Sequence, residues 1–251
     1  MKEVEFIVHV WLDVENTILG VSRQPFMKKL RSPQWSRRRM SLFKNYTLQS
    51  LENQSFKDFR IFLFLNPKYR SIHNKFDLGE KVERIYDSGK KVYTEELQAD
   101  HAVIFRTDSD DLLHKSVMQT VKETAEFKNF RTSRVFHRVI QWNLYHSFIS
   151  DYFLPRSPFV AHVFPRKIYS DWSRIKIEQF MDYKSSKIHF SERKICIVRH
   201  GANVTFPRIR KNMHSSSYLK EEMTKRNNII HDKSKMRKIL KDFGIKPEQV
   251  K

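Results

Sequence analysis

The run Ala102-Val103-Ile104-Phe105-Arg106-Thr107-Asp108-Ser109-Asp110-Asp111 decides how this 251-residue chain is read. Residues 102–106 have the branched and aromatic content of a short buried strand, and they pass without a break into three acids. Outward from this run, strand patterns alternate with helical ones. Residues 4–12 read as a strand in which Val4, Phe6, Val8 and Val10 alternate with less uniform neighbours. Residues 35–54 have helical spacing, with Met40, Phe43, Tyr46, Thr47, Leu48 and Leu51 at steps of three and four. Residues 59–65 are short, aromatic and bounded by Asn66-Pro67, as in a central parallel strand. Residues 81–86 suit another strand, and residues 112–127 are expected to form a helix directly after the acids. This alternation predicts an α/β fold with a mostly parallel mixed sheet flanked by helices. Ligands of such sheets bind beyond the carboxyl ends of the strands, where the acids fall.

The second half is less regular. Residues 141–153 are rich in aromatics, 159–169 suit a strand pair, and 173–183 have helical spacing. Residues 194–199 form another apolar strand pattern ending in His200-Gly201-Ala202-Asn203. From Arg208 onward there are 13 Lys or Arg against five Asp or Glu. We expect a core domain over 1–207 and a basic helical C-terminal extension over 208–251.

Composition sets the outer limits. Hydrophobic residues make up 39% of the chain and aromatics 13%, enough for one folded core at this length. Only five glycines occur, and neither glycine-rich phosphate-binding pattern is present. The single cysteine, Cys196, excludes an intramolecular disulfide and a zinc site built on several thiolates. Between Ile195 and Ile197 it reads as core packing. The apolar run at 61–65 is far too short to span a membrane. The alternating N-terminus lacks a signal-peptide pattern, so a cytoplasmic location is expected.

Charge is the unusual feature: 48 Lys and Arg against 28 Asp and Glu give +20. Such a field attracts phosphates on a nucleotide, a nucleic acid or an anionic membrane, although a solvated basic face also serves solubility alone. Carboxylates as close as Asp108, Asp110 and Asp111 repel unless positive groups neutralise them. Hard oxygen ligands suit Mn2+ or Mg2+, and a diphosphate is the natural substrate for such a site. A solvated helix N-terminus, where acids favour the first turn, gives the same pattern.

The run from Trp35 through Arg39, Leu42-Phe43 and Ser50-Leu51-Glu52-Asn53-Gln54 to Phe59 resembles the opening of the rhamnosyltransferase-like family of GT-A glycosyltransferases. Arg106 to Asp111 resembles that family's Arg-x-Asp-x-Asp-Asp motif, and His200-Gly201-Ala202-Asn203 its late His-Gly-x-Asn. The three blocks occur in order over about residues 35–203. The resemblance implies a GT-A fold and a nucleotide-sugar donor, UDP-sugar first, with dTDP- or GDP-sugar as alternatives. It implies Asp110 as a direct metal ligand, Asp108 on the metal or the nucleoside, Asp111 near the donor sugar, and His200 completing the metal shell. An imidazole suits Mn2+ better than Mg2+. His200 before a glycine is equally a turn residue. Arg39 and Arg106 are candidates for neutralising phosphate or for pairing with the acids. Two departures stand out. Asn66-Pro67 replaces an acid expected to read the base, and Trp11-Leu12-Asp13 replaces the usual end of the first strand, leaving Asp13 as the candidate nucleotide contact. Inversion of configuration is expected at family level and needs a base. Asp171, beside Trp172, is the first candidate and Asp151 the second, and both patterns also occur in ordinary surface turns.

The acceptor is read from charge. Basic residues interleaved with Phe26, Trp35 and Phe206 resemble a nucleic-acid surface, and transfer to a hydroxylated base in DNA, reached by base flipping, is one expectation. A polysaccharide or lipid-linked glycan at an anionic membrane surface is the alternative. A non-catalytic nucleic-acid-binding protein is the third reading.

Overall fold

Phe6, Val8 and Val10 alternate with Glu5, Ile7 and His9, and all six are buried, so the strand they belong to is covered on both faces, as a central strand must be. In the computed structural model this is β1 (Lys2–Trp11). Residues 2–12, 32–86, 99–125, 133–136, 138–144, 146–153, 159–166, 187–190, 192–200 and 227–250 are described below. β1 lies between β2 (Arg60–Phe64) and β4 (Ala99–Asp108), parallel to both, and β3 (Val82–Ile85) runs parallel to β2. β9 (Val160–Pro165) is antiparallel to β4 and to β6 (Ser133–Phe136), which in turn pairs in parallel with β10 (Lys187–Phe190). The order of this seven-stranded sheet is β10-β6-β9-β4-β1-β2-β3, a mixed and mostly parallel sheet as expected.

On one face of the sheet, Phe6, Val8, Val10, Ile61, Leu63, Val103 and Phe105 meet Met40, Phe43, Leu48 and Leu51. These last four come from one continuous helical segment. It begins as α1 (Pro33–Leu42), passes through a π-helical turn (Phe43–Thr47) and ends as α2 (Leu48–Glu52). Ser32 caps its start by accepting the Trp35 N–H at 3.2 Å, with Pro33 in the first turn. Two short helical pieces follow β2, a 3-10 turn (Pro67–Tyr69) and α3 (Arg70–His73).

The helix expected over 112–127 is preceded by a short strand. Leu112–Leu113 form β5, and the helix proper is α4 (Val117–Glu123). The cause is tertiary. Leu112 and Leu113 are fully buried and pair with Ile195 and Cys196 of β11 (Ile195–Arg199), and Ser50 Oγ accepts the Leu113 N–H at 3.1 Å. Buried Gln54 secures this junction. Its Nε2 donates to the Ser50 and His114 carbonyls at 3.0 Å, and its Oε1 accepts the Met118 N–H at 3.0 Å.

β5 belongs to a second sheet that the sequence did not predict, with the order β12-β8-β7-β11-β5. β7 (Arg138–Asn143) and β8 (Phe148–Phe153) form an antiparallel pair, and β11 is parallel to β7. Within 159–166, the described part of the stretch 159–169 expected to hold a strand pair, there is one strand, β9. The helical pattern at 173–183 lies outside the described residues. The C-terminal segment supplies a strand as well as a helix: β12 (Asn227–Ile230) pairs with β8, and α5 (Lys233–Lys241) follows. Met236, Leu240, Phe243, Ile245 and Val250 share one cluster with Leu112, Ile140, Trp142 and Cys196. Gly244 adopts φ +76° where α5 ends, and a Cβ there would stand 2.8 Å from the Gln49 carbonyl oxygen of α2. Among the described residues, no helix is long and apolar enough to cross a membrane.

Candidate active site

Three elements converge on the acidic run. β4 ends at Asp108, directly beside Trp11 at the end of β1, and a turn then carries Ser109, Asp110 and Asp111. Its backbone closes through the Asp111 N–H, which donates to the Asp108 carbonyl at 3.4 Å. α1 delivers Arg39, whose buried guanidinium donates through Nη1 to Asp110 Oδ2 and through Nη2 to Ser109 Oγ at 2.6 Å. The end of β11 delivers His200, whose Nε2 lies 2.8 Å from the same Asp110 oxygen. Asp111 turns the other way, towards the second sheet, and accepts the Val198 N–H on Oδ1 at 3.3 Å. Asp108 is 43% exposed at its side chain and sits 3.8 Å from Arg106 Nη2.

The three neighbouring carboxyls therefore sit in different environments. Burial pushes Asp110 up, but Arg39 and the His200 hydrogen bond outweigh it and hold the carboxyl far below the usual range. Asp111 is raised well above its ordinary value by burial and then by the charges of Asp110 and Asp108. Asp108 is also raised: it is partly withdrawn from water, against the pull of Arg106, and stands beside the Asp110 charge. His200 is lowered, because burial outweighs the Asp110 contact that favours its charged form.

A Mn2+ or Mg2+ shell built from Asp108, Asp110 and His200 needs their donor atoms turned to one point. Here Asp110 Oδ2 is shared by an arginine and the histidine, and Asp111 is held by a backbone amide. Among the described residues no three His, Cys, Asp or Glu side chains are grouped to hold a metal ion. The arrangement does not fit a divalent cation, and the positive charge beside Asp110 comes from the chain itself.

The structure thus brings together Arg39, Arg106, Asp108, Asp110, Asp111 and His200, contributed by α1, β4 and β11. Asp151 is elsewhere. It lies in β8, in register with Ile140 of β7, which is in register with Cys196, four residues before His200. Two interstrand spacings and four residue rises separate Asp151 from His200 by roughly 16 Å. Asp13, Asp171 and Gly201-Ala202-Asn203 lie outside the described residues. The sequence reading missed Ser109, fully buried and bonded to Arg39. The available signal was a small hydroxyl between two acids in a run that must pack tightly.

No protein-family model matches the chain, and no curated protein matches it. Solved structures similar to it include residues 1–349 of S. aureus TarS, at 12% identity and TM-score 0.38, over 79% of this chain and 61% of that one. Another is from Desulfovibrio desulfuricans G20, described as a nucleotide-diphospho-sugar transferase, at 10% identity and TM-score 0.35, over 89% of this chain and 96% of that one. A third is from Bacillus anthracis, described as a glucose-1-phosphate thymidylyltransferase in complex with sucrose. It shows 9% identity and TM-score 0.36 over 75% of this chain and 87% of that one. The chain spans 61% of the length of the TarS structure. At these scores the likenesses define neither reaction nor substrate.

Proposed function

We propose that this chain is a GT-A-type glycosyltransferase that moves a sugar from a nucleotide sugar to an acceptor hydroxyl. One observation carries the reading: a buried, charge-compensated acidic turn sits at the carboxyl edge of the parallel strands, where ligands of such sheets bind. Arg39 and His200 fix Asp110, and the fixed turn leaves Asp108 as the accessible acid at the end of β4. Arg37 and Arg38 are exposed on the same face-forming helix as Arg39 and supply the positive charge that a diphosphate needs. In the reaction the acceptor oxygen bonds to the anomeric carbon as the bond from that carbon to the diphosphate breaks. The diphosphate leaves with the electron pair, and the acceptor proton passes to a base. Asp171 is our candidate for that base in an inverting reaction, and Asp13 for a nucleotide contact. The closer resemblance to rhamnosyltransferase-like proteins rests on the three sequence blocks alone.

The test is calorimetric titration of UDP, GDP and dTDP into the protein, in EDTA and again with Mn2+. One nucleotide is expected to bind in EDTA, and to bind more weakly when Arg37 and Arg38 are both replaced by Ala. Binding by none of the three under either condition overturns the reading. Binding only with Mn2+ overturns the part given to the chain's own cations. A second reading of the acceptor, favoured by the net charge of +20, is a polyanion such as DNA. That acceptor demands affinity that falls steeply with salt.

A further inference from the structure

Away from the acidic turn, the far end of the second sheet holds a polar cavity of about 450 Å³ lined by Arg138, Val139, Asp151, Tyr152, Phe153, Arg193 and Asn228. A second cavity of about 200 Å³ shares Asp151, Arg193 and Asn228 and reaches apolar Ile140, Ile149 and Phe243. The polar groups of the first cavity are organised. Asp151 Oδ2 accepts from Arg193 Nη2 at 2.6 Å and from Asn228 Nδ2 at 2.7 Å, which leaves Oδ1 outside both contacts. Asn228 makes its bond from a left-handed backbone, φ +54°, within an irregular stretch of the β12–β8 pairing. Irregularities of this kind re-aim side chains and gather at functional sites. Two residues further along β8, on the same face of the strand as Asp151, Phe153 is 59% exposed. It is the one large hydrophobic exposed to this degree among the described residues.

We propose that this cavity is a saccharide-binding subsite. A pyranose presents an apolar face of C–H groups and a rim of hydroxyls, each both donor and acceptor. An accessible aromatic ring suits the face, while a carboxylate, an amide and a guanidinium already held in position suit the rim. About 7 Å of strand separates Phe153 from Asp151, so one ring can lie on the phenyl group and reach the carboxylate with a hydroxyl. The lining sets Arg138 and Arg193 against Asp151, so DNA is the competitor that the test must include. Resting on the transferase reading, the subsite assigns an acceptor class: an oligosaccharide long enough to span the roughly 16 Å between Asp151 and His200. It also reassigns Asp151 from candidate base to sugar contact.

The experiment applies the full chain to an array of neutral and acidic oligosaccharides, with a 12-base single strand and a 12-base-pair duplex of DNA as controls. Retention on at least one oligosaccharide is expected, weakened about tenfold or more in Phe153→Ala. The substituted ring is exposed, so this variant is expected to fold, and an unchanged thermal midpoint confirms that. No retained oligosaccharide, equal retention by the variant, or displacement of the sugar by either DNA overturns the proposal. Nucleotide binding is measured alongside. If sugar binds and no nucleotide does, the transferase reading fails and the subsite stands; the reverse pattern removes only the subsite.

Discussion

Asp110 and Asp111 are neighbours in sequence and opposites in chemistry. Asp110 is pinned ionised by Arg39 and His200, while Asp111 is turned into the second sheet with one backbone amide for company. The folded state therefore holds a proton on Asp111 at pH values where the unfolded chain, with an ordinary carboxyl near pH 4, has released it. In that window stability falls as pH rises, and the whole cost is present above the folded-state value. Asp111→Asn keeps an oxygen for the Val198 amide and has nothing to ionise. Its urea midpoint is expected to fall less between pH 4 and pH 8 than that of the wild type, and to equal or exceed it at pH 8. A fall as steep as the wild type's would show that Asp111 is ionised in the fold. Only half of this could be foreseen. The acids are visible in the sequence because they are adjacent, whereas Arg39 stands 71 positions from Asp110 and His200 stands 90, so the pairings exist only through the fold.

At the level of elements, what was legible was what is local. β2 announces itself because both its faces are apolar, β1 because Phe6, Val8 and Val10 alternate along one face, and α1 to α2 because their buried residues recur at helical steps. β5 was hidden, since two leucines have no periodicity and only β11 makes them a strand. The role of Gln54 was hidden for the same reason, as it bonds to backbone groups 60 and more positions away. The docking of α5 was half legible: its apolar stripe is plain, its partner is not. Gly244 marks that docking. Its positive φ and the Gln49 oxygen 2.8 Å from any added Cβ show that the backbone there runs tight against α2. Gly244→Ala is expected to destabilise the protein by about 1–3 kcal/mol, from backbone strain alone at the lower end. A chemical-denaturation midpoint matching the wild type would mean that the two helices separate freely.

For the molecule as a whole, the segment 227–250 decides whether the second sheet has a core. Met236, Leu240, Phe243, Ile245 and Val250 are each at most 3% exposed, and burying such a side chain contributes roughly 1.5–3 kcal/mol. Together that rivals the entire stability of an ordinary domain, about 5–15 kcal/mol. Deleting residues 227–251 is therefore expected to abolish cooperative thermal unfolding, and a truncated chain that melts at the wild-type temperature would make the segment a dispensable tail. Cys196 lies in the same cluster, fully buried, in register with Ile140 on one side and Leu112 on the other, its thiol pushed well up by burial. The chain thus carries a built-in chemical clock. A thiol-modifying reagent reaches the sulfur only when the second sheet comes apart, so its labelling rate times the opening of that sheet. Because none of the seven strands of the mixed sheet holds a thiol, the reaction is blind to their motion and reports on the second sheet alone.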